Sequence, residues 1–504
     1  MASPLLLAID QGTTSSRAVL FEASGQRVLS FSAPLDSRYP ADGWVEQEAE
    51  AIWKSQIQAL RQLEQALSPE QRRAVAACGI ANQRETTVLW RRGSCEALGP
   101  AIVWQDGRTA ALCAEWKRTG LEAGIRERTG LVVDPYFSAS KVVWLLQEIP
   151  AAAAAAADGS LCFGTVDSWL LHRLTSEERH ATEFSNASRT LLMDLKQLRW
   201  DPELAAALGV PLEALPELLP SRAPFGTIAP GLPFAGVPIT TMLGDQQAAS
   251  LGQACLTPGE GKCTYGTGAF LVINTGDVIR RSDAGLLSTV GWSDATGKPI
   301  YCLEGSLFNA GTVIQWLRDG LGLIERSDQV NQLATSCADS GGVMLVPAFT
   351  GWGTPHWDPG ARGLLIGLTR DSGPPQIARA ALEGIALAVS TLVELAEQAM
   401  GQPLAELAAD GGAAAADLLL QAQADTTGLP VRRRTDLEST SRGVALLAGV
   451  EAGVLSDLDA WGPQTDEEGI ERFIPAIDDD QRQRWRSRWC SAVERSLLWH
   501  AGER

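Results

Sequence analysis

The fold is decided by one stretch near the start of the chain, Leu5-Leu-Leu-Ala-Ile-Asp10-Gln-Gly-Thr-Thr-Ser-Ser-Arg17. Its apolar residues end at Asp10, and turn chemistry follows at Gly12. A second apolar run, Ala18-Val-Leu-Phe21, leads to another turn at Gly25. Short apolar runs bounded by turn residues are typical of buried strands. The stretch therefore predicts strand, turn, strand, turn and strand, so that the fold begins with a β-hairpin.

The residues that follow this hairpin alternate between helical and strand-like patterns. Apolar positions between residues 47 and 67 recur at helical spacing, and strand-like runs follow near residues 75–81 and 88–90. Strands that alternate with helices are typical of α/β domains. We therefore predict an α/β fold in which a crossover helix follows the first strands.

The opening pattern recurs near the middle of the chain. A short run ends at Gly266-Thr267-Gly268, and the apolar run Ala269-Phe-Leu-Val-Ile273 follows. Gly12 and Gly266 are separated by about half a chain length, which indicates weak internal repetition. The repetition predicts two domains with related first motifs, residues 1–250 and residues 251–504, and a cleft between them.

Composition limits the class of protein. A chain of 504 residues exceeds what one hydrophobic core usually organises, which agrees with two domains. Hydrophobic residues make up 45% and charged residues 20%, the profile of a soluble globular protein. The formal net charge of -18 disfavours nucleic acid as a partner, because phosphate binding needs a basic face. Neither a membrane span nor a signal peptide is visible, so a cytosolic protein is expected.

The first turn has the composition of a phosphate site. The glycine lets backbone N–H groups approach an anion, the hydroxyls of Thr13, Thr14 and Ser15 donate further hydrogen bonds, and Arg17 supplies positive charge. Asp10, at the end of the first strand, is suited to Mg²⁺, which prefers oxygen ligands. The alternative is an ordinary polar hairpin. The turn lacks the Walker pattern of a P-loop.

A second turn strengthens the phosphate hypothesis. The turn around Thr267 offers the same donors from the other half of the chain, and two such turns across a cleft suit a nucleoside triphosphate. A third glycine cluster, Asp410-Gly411-Gly412, precedes a helix expected to begin near Ala416. Backbone N–H groups at a helix start can contact a nucleotide.

Several polar segments could bind a small hydroxylated molecule. A polyol site needs paired donors and acceptors together with an aromatic wall for the carbon chain. Segments of this kind are Asn82-Gln-Arg-Glu-Thr86, Trp104-Gln-Asp106, Asp134-Pro-Tyr136 and Gly244-Asp-Gln-Gln247. Each has a structural alternative, such as a surface ion pair for Arg84 and Glu85 or a core position for Trp104.

Taken together, these motifs resemble the FGGY carbohydrate kinases over nearly the whole chain. The resemblance rests on the segments above and on Val103-Trp-Gln-Asp-Gly-Arg-Thr109, Ser185-Asn-Ala-Ser-Arg-Thr190, Leu303-Glu-Gly305, Trp357-Asp-Pro-Gly-Ala-Arg-Gly363 and Leu382-Glu-Gly-Ile-Ala386. It implies two actin-like (ribonuclease H-like) domains that close over ATP, Mg²⁺ and a small polyol. The implied activity is ATP-dependent phosphorylation, with glycerol as the expected substrate.

The resemblance also implies a role for individual residues. The residues implied around the substrate are Arg84, Glu85, Trp104, Tyr136, Asp245, Gln246 and Phe270. Those implied around ATP are Thr13, Thr14, Ser15, Arg17, Thr267, Gly311, Gln315 and Gly412. Asp245 is implied as the catalytic base, and Asp10 and Asp245 as the carboxylates near Mg²⁺.

One departure from the family pattern concerns the nucleotide site, and the exact function and the assembly stay open. Ala416 stands where family members usually carry Asn, which predicts the loss of one nucleotide contact. The alternative hypotheses are a kinase of the same family that acts on a pentulose or another polyol, a nucleotide-binding regulator that senses a polyol, and an actin-like polymerising ATPase, which would not need the set of Arg84, Glu85, Trp104 and Tyr136. A homodimer or a homotetramer is the expected assembly, because relatives often form one.

Overall fold

The computed structural model describes residues 3–294, 296–436, 438–461 and 469–499. The strands are β1 (Leu5–Gln11), β2 (Ser15–Glu22), β3 (Arg27–Pro34), β4 (Glu46–Gln47), β5 (Val75–Asn82), β6 (Val88–Arg91), β7 (Ala101–Ile102), β8 (Leu161–Gly164), β9 (Ala181–Glu183), β10 (Met193–Asp194), β11 (Arg199–Trp200), β12 (Glu217–Leu219), β13 (Arg222–Thr227), β14 (Pro238–Gly244), β15 (Gly261–Tyr265), β16 (Ala269–Gly276), β17 (Leu287–Ser293), β18 (Pro299–Leu307), β19 (Met344–Val346), β20 (Leu364–Ile366), β21 (Leu407–Asp410), β22 (Val431–Arg434) and β23 (Ile470–Phe473).

Helices connect and cover these strands. The α-helices are α1 (Ala49–Ala66), α2 (Pro69–Ala74), α3 (Ala110–Arg118), α4 (Leu121–Thr129), α5 (Ser138–Glu148), α6 (Pro150–Ala157), α7 (Val166–Leu174), α8 (Phe184–Ala187), α9 (Pro202–Leu208), α10 (Asp245–Gly252), α11 (Gly311–Asp319), α12 (Val330–Thr335), α13 (Pro374–Met400), α14 (Asp417–Thr427), α15 (Ser439–Glu451) and α16 (Asp479–Ser496). Short 3₁₀ turns occur at Leu212–Ala214, Ser327–Gln329, Gly412–Ala415 and Leu458–Trp461. Among the described residues, no helix is both long enough and apolar enough to cross a bilayer.

Two large sheets repeat one strand order. The first sheet runs β13-β14-β5-β1-β2-β3 and the second runs β17-β18-β16-β15-β21-β22-β23. In each, a run of antiparallel strands, three in the first sheet and four in the second, leads through its first member to two parallel strands, β5 and β14 in one and β21 and β22 in the other. The internal repetition predicted from the two glycine turns is therefore confirmed at the level of topology.

Local chemistry explains the opening hairpin. The backbone N–H of Gly12 donates to the carbonyl of Ser15 at 2.9 Å, and this bond closes the turn between β1 and β2. All seven residues of β1 are buried, as expected for a central strand covered on both faces. The predicted strand–turn–strand–turn–strand start and the predicted helix within residues 47–67 are both confirmed.

Alternation along each sheet separates two packing faces. In the first sheet, Leu5, Leu7 and Ile9 pack towards α1 and α7, whereas Leu6 and Ala8 pack towards α15. In the second sheet, one face packs on α13 and α14, and the other joins the cluster around α15. Because side chains alternate along a strand, each sheet buries both faces. The layers are helices, first sheet, α10 with α15, second sheet and helices.

Close backbone contact joins α10 and α15 between the sheets. A Cβ added at Gly443 would lie 1.8 Å from the carbonyl oxygen of Ala248, and one at Gly252 would lie 1.9 Å from that of Ser439. Only glycine fits at such a crossing. Although α15 belongs to the second half of the chain, it packs on the first sheet, and the predicted boundary near residue 250 falls within α10.

Candidate active site

The candidate site lies where parallel strands of both sheets end. Asp10 is the last residue but one of β1, Arg84 follows β5, and Asp245 follows β14. Because β1, β5 and β14 are mutually parallel neighbours, their carboxyl ends bring these three side chains to one edge. In the second sheet, β15 ends at Tyr265, directly before Gly266, and β21 ends at Asp410, and these strand ends face the first edge. A cavity of about 230 Å³ lies between the two edges.

Aromatic side chains form one wall of this cavity. The rings of Trp104 and Phe270 meet edge to face with centroids 5.6 Å apart, and Tyr136 lies 5.9 Å from Trp104. The indole N–H of Trp104 donates to the hydroxyl of Thr13 at 3.0 Å, so the apolar wall is tied to the first phosphate turn. Phe270 comes from the second sheet, and the wall therefore spans both halves.

Arg84 is held by several partners at the floor of the cavity. Glu304 accepts from Nη1 at 2.5 Å and from Nη2 at 2.9 Å, and the Tyr136 hydroxyl accepts from Nη2 at 3.2 Å. Its Nε lies 3.4 Å from Oδ1 of Asp245. A planar guanidinium with partners on several edges has a single orientation, which is what recognition of a hydroxyl pair requires.

Glu85 is fixed in an uncommon backbone conformation beside Arg84. Its φ of 60° lies in the left-handed region, and its carbonyl accepts hydrogen bonds from the hydroxyls of Thr87 and Ser138. Its carboxylate accepts from Nε of Arg189 at 2.6 Å. Non-glycine residues with positive φ often occur at functional sites, where surrounding contacts hold them.

Asp245 combines partial access with a desolvated setting. Its side chain is 27% exposed, towards the cleft. Desolvation raises the pKa of this carboxyl above its usual value, while the Arg84 guanidinium opposes that shift. A carboxylate with a raised pKa is a stronger base. Its neighbour Gln246 has its side-chain oxygen bound by the ammonium of Lys262, which leaves the Gln246 amide N–H₂ group available to the cleft.

The residues predicted to contact phosphate also line the cavity. They are Thr13, Thr14, Ser15, Arg17 and Thr267. Nη1 of Arg17 lies 3.3 Å from Glu438 and 3.8 Å from Asp10. The side chain of Arg17 is 42% exposed, so it can exchange these partners for an anion.

The carboxylates at this end fit a magnesium site that relies on phosphate ligands. Burial raises the pKa of Asp10 to about 6, Arg17 opposes the shift, and the nearby Asp245 adds to it. Among the described residues there is no group of three or more His, Cys, Asp or Glu side chains arranged as a metal site. Mg²⁺ commonly binds one or two carboxylates together with waters and substrate phosphates, which the buried Asp10 and the partly exposed Asp245 suit.

Three residues predicted to contact the nucleotide lie outside the cavity wall. Gly311 begins α11 and donates its N–H to the Gly266 carbonyl at 2.9 Å, directly behind the second phosphate turn. Gln315 is exposed one turn along α11. Gly412 is also exposed, and a Cβ added there would meet no atom of the described residues within 4 Å. Together they border the second sheet beside the turn that carries Thr267.

Family models match both halves of the chain. The N-terminal domain of the FGGY family of carbohydrate kinases matches residues 5–252, and the C-terminal domain of that family matches residues 261–452. The chain belongs to the FGGY family of carbohydrate kinases. The family predicted from the motifs is therefore confirmed.

Individual relatives of this FGGY kinase are similar over nearly their whole length. A curated glycerol kinase from Thermus brockianus is 49% identical over 499 residues, covering 98% of this chain and 99% of that protein. The crystal structure of Plasmodium falciparum glycerol kinase with ADP superposes with a TM-score of 0.88 at 32% identity, covering 98% of each chain. A xylulose kinase from Lactobacillus acidophilus, at 22% identity, a TM-score of 0.82 and 97% coverage of each chain, shows the fold alone. The predicted α/β fold of two actin-like domains is confirmed.

Three charged residues at this FGGY kinase site received no role from sequence reasoning. Glu304 and Arg189 form the buried ion pairs beneath Arg84, and Lys262 contacts Gln246 and Thr264. The sequence contains a signal for two of them, because Glu304 and Lys262 interrupt apolar strands. Charged side chains in such strands are rarely buried without a partner. The partners themselves lie too far along the sequence to be read from it.

Proposed function

We propose that this FGGY kinase transfers the γ-phosphoryl group of ATP to glycerol and forms sn-glycerol 3-phosphate. The observation that supports this most is the floor of the cavity, where Arg84, Glu85 and Asp245 face the aromatic pair of Trp104 and Phe270. Paired polar groups opposite an aromatic wall suit a short carbon chain that carries adjacent hydroxyls. The similarity to glycerol kinases over 98% of the chain supports the same substrate.

Different residues bind the substrate and accept its proton. Arg84 donates to substrate hydroxyls, Glu85 accepts from them, and Tyr136 and Gln246 complete the polar ring. Asp245 accepts the proton of the hydroxyl that attacks phosphorus. Phosphoryl transfer depends mainly on positioning and charge neutralisation, so one carboxylate aimed at the nucleophile is sufficient as a base.

The nucleotide occupies the side of the cleft between the two glycine turns. Thr13, Thr14, Ser15 and Arg17 bind phosphate oxygens from one side and Thr267 from the other, while Gly311, Gln315 and Gly412 border the nucleotide beyond them. Asp10 and Asp245 would hold Mg²⁺, which would supply charge neutralisation on the phosphates. Closure of the two halves excludes water, which limits loss of ATP to hydrolysis.

A coupled ADP-release assay tests the proposed substrate. Purified protein with ATP and Mg²⁺ is offered glycerol, dihydroxyacetone, xylulose, ribulose or no acceptor in parallel. We expect robust ADP release with glycerol and only background release without an acceptor. Release with a pentulose in place of glycerol would reassign the substrate, and no release with any acceptor would favour the polyol-sensing regulator.

The departure at Ala416 gives a separate prediction about ATP. Ala416 is the N-cap of α14 and makes no side-chain cap, although Asn is among the best capping residues. We expect Ala416→Asn to lower the KM for ATP by about twofold to tenfold, the effect of one added hydrogen bond. Initial rates at saturating glycerol measure it.

Ala415→Asn is the matched control for this substitution. Ala415 is exposed and lies one position before the cap. We expect this control to leave the KM for ATP unchanged. An unchanged KM in folded Ala416→Asn, or an equal decrease in both variants, would contradict a specific contact at Ala416.

Three further features stay predictions. We propose that the chain divides functionally into residues 1–250, which bind the polyol, and residues 251–504, which bind the nucleotide. We also propose a cytosolic location and assembly as a homodimer or homotetramer. Light scattering of the purified protein measures the assembly directly.

A further inference from the structure

We infer that Glu304 is a positioning residue for the substrate, which it reaches through Arg84 from the opposite half of the chain. This inference rests on the proposed function, because it explains how the polyol side of the cleft is held in shape. Glu304 does not line the cavity itself. Its effect on glycerol is therefore indirect, through the orientation of one guanidinium.

The position of Glu304 is unusual for a carboxylate. It lies within β18 between Leu303 and Gly305, and its side chain is fully buried. Both carboxylate oxygens are used, since Oε1 accepts from Arg84 at 2.9 Å and from Arg189 at 3.0 Å, and Oε2 accepts from Arg84 at 2.5 Å. A buried carboxylate is tolerated only with such complete pairing.

The charge of Glu304 is stabilised by its two arginines. Burial alone raises the pKa of a carboxyl, but Arg189 and Arg84 outweigh it and hold the pKa of Glu304 at about 2. The group is therefore a permanent anion at neutral pH. Arg84 and Arg189 lie on the first half of the chain, so the pairs cross from one half to the other.

The contacts of Glu304 set the orientation of Arg84 on the polyol side of the cleft. Glu304 occupies both terminal nitrogens of Arg84, which leaves Nε as the edge nearest to Asp245, at 3.4 Å. Without the anion, the terminal nitrogens keep the neutral acceptors Tyr136 and Gln247, at 3.2 and 3.4 Å, and a two-bond pair with the charged Asp245 becomes the stronger alternative. Such a pair would occupy the proposed base and withdraw Arg84 from the substrate hydroxyls.

Arg189 extends the same support to Glu85. Its Nε binds Glu85 and its Nη2 binds Glu304, so one guanidinium links the two carboxylates. Its Nη1 is buried and finds no hydrogen-bond partner within the described ranges, so no further anion there could replace Glu304. Loss of Glu304 is therefore expected to loosen Arg84 and Glu85 together.

The variant Glu304→Gln tests this inference, because it keeps the shape and removes the charge. We expect the KM for glycerol to rise by about tenfold to a hundredfold, which corresponds to one or two charge-assisted hydrogen bonds. The KM for ATP should stay within about threefold of wild type, since the phosphate turns are untouched. The rise in melting temperature that glycerol gives the wild type should be lost, while the rise given by ATP with Mg²⁺ remains.

Glu383→Gln is the matched control. Glu383 is also a buried carboxylate paired with an arginine, Arg379 at 2.8 Å, but it lies on α13 away from the cavity. Neutralising Glu383 should change the stability of the protein without a selective change in the KM for glycerol. Should Glu304→Gln not fold, Glu304→Asp keeps the charge, shortens the reach by one methylene, and is expected to show a smaller rise in the same KM.

The outcomes separate this inference from the proposed function. Wild-type protein that releases no ADP with glycerol overturns the proposed function itself. Active wild type with an unchanged glycerol KM and an unchanged glycerol-induced melting shift in a folded Glu304 variant overturns the role of Glu304 alone. Equal rises in the KM for glycerol and for ATP also overturn it, because a general structural defect would then explain both rises.

Discussion

The variant Asp245→Asn is expected to lose about 10²- to 10⁴-fold in kcat, the usual contribution of a general base. The amide keeps the shape of the carboxylate but cannot accept the proton of the attacking hydroxyl. Asp245 is the group at the cavity that combines access to the cleft, at 27% exposure, with a raised pKa and a fixed neighbour in Arg84. Single-turnover and steady-state rates at saturating glycerol and ATP measure the loss.

Glycerol binding should survive this substitution. Arg84, Glu85 and Tyr136 keep their positions, because their partners are Glu304, Arg189 and one another rather than Asp245 alone. A glycerol-induced shift in melting temperature checks this. A folded variant that binds glycerol and keeps its kcat would refute Asp245 as the base.

Asp194→Asn is a suitable control for the change from acid to amide. Asp194 is buried outside the cavity and accepts from the backbone N–H groups of Lys196 and Gln197. An asparagine oxygen can accept the same bonds. An unchanged kcat in Asp194→Asn would show that an acid-to-amide change does not by itself lower kcat. The loss of kcat in Asp245→Asn would then belong to the position of Asp245.

Local sequence signals were sufficient for the elements that carry the phosphate turns. Gly12 and Gly266 each follow a short apolar run and precede another, and both mark hairpins at the expected places. The reason is that turn chemistry and alternation act over a few residues, where sequence and structure correspond directly. The repeated hairpin follows from the same signal, whereas the parallel strands beside each hairpin come from distant segments.

Longer-range packing was not available from these signals. The run Val444-Ala-Leu-Leu-Ala448 indicates a buried helix, but nothing in it identifies the sheet that buries it. In the structure α15 crosses to the first sheet, where Gly443 allows contact with α10. A cut of the chain at residue 250 would therefore separate the first sheet from a helix that covers it.

In the candidate site too, some residues could be predicted from local sequence, whereas others depend on long-range contacts. Residues at strand ends, such as Asp10 and Asp245, could be selected because the carboxyl edge of a parallel sheet is a common place for ligands. The pairing of Arg84 with Glu304 could not, since the two residues are 220 positions apart. The resemblance to the family supplied roles for residues that face the cleft, and it supplied none for the ion pairs beneath them.

The variant Arg84→Ala is expected to raise the KM for glycerol by about a hundredfold or more, since several charge-assisted hydrogen bonds are lost together. The KM for ATP should change little, because the polar partners of Arg84 are Glu304, Tyr136, Gln247, Asp245 and Glu85, and none of them belongs to the phosphate turns. The substitution also leaves Glu304 with Arg189 as its remaining cationic partner. Loss of one member of a buried ion pair typically costs about 3–5 kcal/mol of stability, so melting temperature should be measured beside the kinetics.

Two further variants separate recognition from stability. Arg84→Lys keeps the positive charge for Glu304 but lacks the planar fork, so it should recover stability more than glycerol affinity. Arg108→Ala removes another fully buried guanidinium, which pairs with Asp106 and Glu46 outside the cavity. It should lower the melting temperature without a glycerol-specific effect. If Arg84→Ala raised both KM values equally, or if Arg84→Lys restored both affinity and stability, the guanidinium would be a structural cation rather than the group that recognises the polyol.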